Sequence, residues 1–203
     1  MTADLLRGNL ERSLTVHQRF LDECLPALTA AAEALVTAYR SGHKALIFGN
    51  GGSAADAQHL AAELVGRYRH HRAPLPALAL NVNTSAVTAI GNDYGFEEVF
   101  ARQLEALAAP GDVAVAISTS GDSPSVVQAV LRARRLGLRT IALTGSSGGR
   151  LRDLADILVA VPSEETPRIQ ECQILAGHAL CDAVEEAMIR AAGASDENSE
   201  VSG

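Results

Sequence analysis

The stretch that decides the fold is KALIFGNGGSAADAQHLAAELVG, residues 44–66. KALIFG (44–49) is a short apolar run that ends in glycine, the mark of a buried strand. AADAQHLAAELVG (54–66) reads as a helix, and glycines fill the turn between them. A strand that turns through glycine into a helix opens a βαβ unit. The same alternation continues downstream. ALAL (77–80), DVAVAIS (112–118), TIALTG (140–145) and DILVAV (156–161) are further strand candidates. Helical stretches fall at 84–90, 96–108, 124–136 and about 149–155. Five strands separated by helices predict an α/β fold with a doubly wound parallel sheet, and right-handed crossovers put helices on both faces.

Both ends of the chain read as helix. Leu6, Leu10, Leu14, Leu21 and Leu25 recur at spacings of four and seven, which keeps them on one helical face. Pro26 is expected to interrupt that helix, and ALTAAAEALVTAYRSG (27–42) to restart it, with Gly42 as its stop. Residues from about Pro167 to Ala192 form a last long helix. The small, polar and acidic stretch from Gly193 predicts a disordered tail over 194–203. The expected organisation is one domain over residues 1–193.

Composition narrows the function. The chain has 203 residues, enough to bury about 70% of its unfolded surface without a disulfide or a metal. A net charge of −7 argues against an overall basic face for nucleic acid. The N-terminus MTADLLRGNLERS lacks the apolar core of a signal peptide, and no apolar run approaches the ~18 residues of a membrane span. Cys24, Cys172 and Cys181 are odd in number and unpatterned in spacing, which points to a reducing cytoplasm.

Two loops follow predicted strands and open helices. The first is Gly49-Asn50-Gly51-Gly52-Ser53-Ala54, whose glycines let backbone N–H groups approach a ligand and whose Ser53 is placed to cap the helix. The second is Ser118-Thr119-Ser120-Gly121-Asp122-Ser123, with Ser125 beyond, which adds four hydroxyls. Strand ends of open parallel sheets form the ligand crevice, so two such loops at one sheet edge favour a phosphorylated ligand. The first loop matches G-x-G-x-x-A, yet no acid stands between Arg67 and Asn92 to read a ribose. A P-loop is ruled out because no Gly-Lys-Ser/Thr follows the glycines. A phosphate without a nucleotide fits better.

His59 and Glu63 are spaced i, i+4 on the helix that leaves the first loop, a spacing that can chelate one metal. A solvent-facing His–Glu pair has the same spacing. Gln170 and His178 share roughly one side of the last helix but stand about 12 Å apart along its axis. A shared ion then requires Gln170 to sit on a fraying first turn or a neighbouring subunit to contribute. His178 alone also reads as a core or interface histidine. His70 and His71 flank a basic turn with Arg67, Arg69 and Arg72, expected to be solvated or to attract an anionic ligand.

GNGGSAADAQHLAAELVGRY (49–68), AIGNDYGF (89–96), ISTSGDS (117–123) and RIQE (168–171) followed by His178 together resemble the bacterial phosphoheptose isomerases of the sugar-isomerase (SIS) superfamily. The resemblance spans about residues 3–190. It implies a five-stranded parallel sheet flanked by helices, a homotetramer with active sites between subunits, and one zinc ion per subunit. By position, it implies His59, Glu63, Gln170 and His178 as metal ligands. It implies substrate contacts from Asn50, Gly51, Gly52, Ser53, Glu63, Asn92, Asp93, Ser118, Thr119, Ser120, Ser123 and Gln170, with Arg67 near the site. Pro167 departs from members that carry Asp before Arg-Ile-Gln. The implied reaction converts sedoheptulose 7-phosphate to D-glycero-D-manno-heptose 7-phosphate through a cis-enediol, with Glu63 as base and His178 as acid. A replication regulator of the same superfamily keeps the loops but lacks the metal and catalytic residues, which Glu63 and His178 retain here. The alternatives are a non-catalytic SIS-domain regulator that binds a protein partner and an isomerase of another phosphosugar.

Overall fold

The computed structural model describes residues 1–200, with side chains described through residue 193. In chain order the elements are α1 (Thr2–Arg40), β1 (Ala45–Gly49), α2 (Gly52–Val65), β2 (Ala77–Ala79), α3 (Thr84–Tyr94), a 3-10 turn (Phe96–Glu98), α4 (Ala101–Leu107), β3 (Val113–Ile117), α5 (Pro124–Arg135), β4 (Arg139–Thr144), α6 (Leu151–Leu154), β5 (Ile157–Ala160) and α7 (Thr166–Glu200). All five predicted strands are present. They form one parallel sheet in the order β2-β1-β3-β4-β5.

Alternation along each strand divides the core into two layers. Ala45, Ile47, Val113, Val115, Ile141 and Leu143 face α1, α2 and α7. Leu46, Phe48, Ala114, Ala116 and Ala142 face α4, α5 and Leu151 of α6. The sheet is therefore covered on both sides, as the unbroken apolar strands require. Strand order reverses between β1 and β3, and this switch point is where open α/β sheets leave a crevice. Gly49 pairs with Ile117 across it, so the loops after β1 and β3 begin side by side.

Several expected boundaries shift. Pro26 does not interrupt α1, which continues through it to Arg40. Packing on both sides of the missing donor holds the helix. Phe20 and Cys24 before Pro26, and Ala31 and Leu35 after it, are all buried in the same layer. The Cys24 thiol also donates to the Ala160 carbonyl, 3.2 Å away. The helix stops at Ser41, followed by Gly42 at φ +78°. The leucine stripe does share one face, but in this single chain that face is open: Leu10 and Leu14 are 67% and 70% exposed. The stretch expected to be helical over 84–90 reaches Tyr94, and 96–108 divides into the 3-10 turn and α4. The last helix continues past Ala192. The expected disordered tail concerns residues whose side chains, and for 201–203 whose backbone, lie outside the description.

Candidate active site

The first loop is shaped by what its glycines touch. A Cβ on Gly49 would lie 2.6 Å from the Ile117 carbonyl oxygen and 2.8 Å from the Ser53 side chain. Gly51 has φ +56°, the left-handed region that favours glycine. It is also the N-cap of α2, without a side-chain cap. Ser53 is therefore not the expected cap: it sits one residue inside the helix and is buried. Asn81 donates to the Gly49 carbonyl at 2.7 Å and fixes the strand end.

Asn50 joins the two loops. Its amide donates to the hydroxyls of Ser123 (2.8 Å) and Ser125 (2.9 Å). Within the serine loop, the Gly121 N–H donates to Ser118 Oγ at 3.2 Å and the Asp122 N–H to Ser120 Oγ at 3.2 Å. The β4–α6 connection supports it from behind. The Gly145 N–H donates to the Thr119 carbonyl (2.9 Å), the Leu151 N–H to the Gly121 carbonyl (3.1 Å), and the Arg150 N–H to Asp122 Oδ1 (2.9 Å). A Cβ on Gly121, itself at φ +71°, would fall 2.0 Å from the Gly148 carbonyl oxygen. Between the loops lies a cavity of about 140 Å³ lined by Asn50, Ser53, Ser118, Thr119, Ser120, Ser123 and Gln170. That is roughly the room of four or five waters. Its wall of hydroxyls and main-chain N–H groups at two helix starts suits an anion. A larger open recess of about 500 Å³, lined by His43, Gly111 and Arg139 among others, lies at the opposite end of the strands and carries none of the motifs.

Helices α2 and α7 run side by side in the same direction, and two glycines allow it. A Cβ on Gly52 would meet the Gln170 amide at 2.5 Å, and one on Gly177 would meet Leu60 at 2.5 Å. The second contact brings His178 opposite His59. Their Nε2 atoms are 2.9 Å apart, and Glu63 Oε1 is 3.4 Å from His59 Nε2. One ligand atom from each of His59, Glu63 and His178 lies within 4.8 Å of the others. Two imidazole nitrogens and one carboxylate oxygen form a donor set that could hold a divalent cation and leave positions open. Gln170, two turns earlier on α7, presents its amide against Gly52 at the cavity instead.

The RIQE segment divides by face. Gln170 lines the cavity, whereas Arg168 donates to the Asn9 carbonyl (2.9 Å) and Asn9 Oδ1 (2.6 Å), and Glu171 accepts from the Ser13 hydroxyl (2.7 Å). Arg168 and Glu171 thus fasten α7 to α1. Asn92 and Asp93 do not reach the cavity of this chain. They are exposed, hydrogen-bonded to each other at 2.8 Å, and lie in the last helical turn of α3.

A family profile for the SIS domain matches residues 10–145. The phosphoheptose isomerase of Aquifex aeolicus is 53% identical over 86% of this chain and 91% of its own length. The chain belongs to the phosphoheptose isomerase family. It is an isomerase. Two solved structures of family members agree in fold. The phosphoheptose isomerase of Neisseria gonorrhoeae superimposes with a TM-score of 0.87 at 42% identity, covering 92% of this chain and all of that one. The Francisella tularensis enzyme gives 0.89 at 38% identity, covering 92% and 99%.

Two neighbours of the site escape the motif reading. Asp56 stands one turn before His59, close enough to feel both imidazoles. Burial raises its carboxyl above the ordinary value against their pull. Glu185 is fully buried and accepts backbone N–H groups from Tyr68 (2.9 Å), Arg69 (2.7 Å) and His70 (2.7 Å). Arg72 is its ion-pair partner at 3.2 Å and is 4% exposed, which corrects the expected solvated basic loop for that residue. Nothing in the spacing of Glu185 signals this, since its partners lie more than a hundred residues upstream. Pro167 occupies the first turn of α7, where its missing N–H costs nothing.

Proposed function

We propose that this isomerase interconverts sedoheptulose 7-phosphate and D-glycero-D-manno-heptose 7-phosphate. The observation that carries the reading is the convergence of His178 of α7 with His59 and Glu63 of α2, the helix that starts at the hydroxyl-lined cavity. In this reading the cavity between Asn50 and the serine loop grips the phosphate. The sugar chain would then extend from the cavity toward the two imidazoles.

The donor set fits zinc. His59, Glu63 and His178 would hold it; Gln170, the fourth ligand that the resemblance implies, lies two turns away at the cavity in this chain. When bound, the cation polarises the substrate oxygens as a Lewis acid. The protein's own groups move the protons. Glu63 takes a proton from C1 of the ketose and returns it to C2. His178 protonates the oxygen on C2 and accepts the proton of the hydroxyl on C1. These transfers convert ketose to aldose through the cis-enediol with no net gain or loss of protons. A carboxylate has two oxygens, so one can face His59 and the cation while the other serves as base.

Asn92 and Asp93 would read sugar hydroxyls of a neighbouring subunit's site, which their exposure in one chain allows. The open leucine face of α1 supports assembly, because a contiguous apolar stripe of this kind is normally covered; a homotetramer is the state we infer. Cys24, Cys172 and Cys181 are free and buried, and no helix among the described residues is long and apolar enough to cross a membrane. The free thiols are the ground on which we infer a cytoplasmic enzyme.

The deciding experiment follows aldose formation from sedoheptulose 7-phosphate with and without a chelator. Conversion that stops with chelator and returns with zinc is expected. Chelator-resistant conversion would remove the metal from the reaction, and no conversion would move the substrate to another phosphosugar. Ser120→Ala tests the phosphate grip. Loss of a hydrogen bond to a charged group is worth about 1.5–3 kcal/mol, so KM should rise roughly 10- to 100-fold with kcat changed little. An unchanged KM would place the phosphate elsewhere.

A further inference from the structure

The geometry points to Tyr68 as a positioning residue for His178, locked in place by the buried Glu185–Arg72 pair; this rests on the role proposed above for His178. The Tyr68 ring stacks on the His178 imidazole, with centroids 5.7 Å apart and planes inclined by 28°. The His59 ring meets the same imidazole edge-on at 5.1 Å and 67°. His178 is therefore held on its face by one ring and at its edge by another. Terminal torsions of histidine are broad and roughly two-fold, so a stacked partner is what selects one ring orientation.

The segment that carries Tyr68 is itself fastened to α7 by a buried carboxylate. Glu185 lies two turns beyond His178 on α7. Its carboxylate takes the N–H groups of three consecutive residues, Tyr68, Arg69 and His70. Arg72 pairs with the same carboxylate, and its guanidinium also donates to the Glu63 carbonyl at 3.0 Å. One buried ion pair thus sets the position of Tyr68 against α7 and ties that segment to the turn of α2 bearing Glu63. Burying a carboxylate is a costly way to close a surface connection. The cost makes sense when the segment's position matters to the residue it presses upon.

The test uses the full-length protein in wild-type, Tyr68→Leu and Tyr68→Phe forms. Leucine keeps the apolar packing and removes the ring, while phenylalanine keeps the ring and removes the hydroxyl. Two quantities are read beside the melting temperature. One is the His178 ring resonance of the metal-free protein in a histidine-labelled NMR sample. The other is the affinity for zinc alone. Partners that orient metal ligands typically contribute 10- to 100-fold in affinity. Tyr68→Leu is expected to shift the His178 resonance and weaken zinc by that factor at a nearly unchanged melting temperature, and Tyr68→Phe to restore both. Wild-type values in Tyr68→Leu would overturn the inference. So would a Tyr68→Phe protein as impaired as Tyr68→Leu, since the ring would then not be the agent. A wild-type protein that binds no zinc would defeat the metal reading alone, and the His178 resonance would still decide the placement of Tyr68.

Discussion

Glu63→Gln is expected to give a folded, assembled protein whose turnover falls by about 10²–10⁴-fold, the range that a positioned general base supplies. Glutamine matches glutamate in shape but cannot accept the proton. The fold should tolerate the change, because the Glu63 side chain is 24% exposed and faces the His59 and His178 imidazoles rather than the apolar core. Its structural tie is made by the main chain: the Glu63 carbonyl accepts from Arg72, and that bond survives the substitution. Aldose formation, circular dichroism and zinc content should be measured on the same preparation. Lost turnover with zinc retained assigns the base role. Lost turnover with zinc lost assigns a ligand role. A wild-type rate would exclude Glu63 from both.

The largest stability effect is expected at Arg72. Arg72→Ala leaves the Glu185 carboxylate fully buried without its cation, a situation that typically costs about 3–5 kcal/mol. For a chain of this size that corresponds to a fall in Tm of roughly 6–20 °C at fixed protein concentration. A loss below about 1 kcal/mol would show that the three backbone donors hold the carboxylate unaided. The pH dependence gives a second check. Burial pushes the Glu185 carboxyl up, but the N–H groups of His70, Tyr68 and Arg69 and the charge of Arg72 outweigh it, so it sits below the ordinary value of 4.5. A carboxyl depressed in the folded state contributes stability above its ordinary value and loses it as pH falls through the folded one. Acid-side Tm of the wild type should therefore drop below about pH 4.5, and Glu185→Gln should flatten that part of the curve.

Local pattern carried most of the fold. Each strand is a short apolar run closed by a turn, so β1, β3 and β4 were readable within a residue or two, and the parallel sheet followed from the helices between them. Pro26 misled because propensity is local, whereas the burial of Cys24 and Ala31 that overrides it is tertiary. The two loops were legible as anion-binding segments because glycine and hydroxyl residues announce themselves. The approach of His178 to His59 was not, since it depends on Gly177 letting α7 press against Leu60. The i, i+4 pair and the family motifs supplied the residue names, and the packing of α2 on α7 supplied the meeting point. Glu185 and Tyr68 stayed hidden for the same reason: their significance lies in pairings between distant segments.

The support behind the serine loop has a consequence for substrate scope. That loop is held main chain to main chain by the Gly145–Leu151 connection, at a spacing that allows no Cβ on Gly121. The phosphate grip proposed for it would therefore be preorganised, and binding would not need to freeze a mobile segment to form it. Its backbone path leaves little room for its shape to be retuned. A change toward shorter or longer sugars would then have to proceed on the facing walls of the cavity, with this backbone left in place.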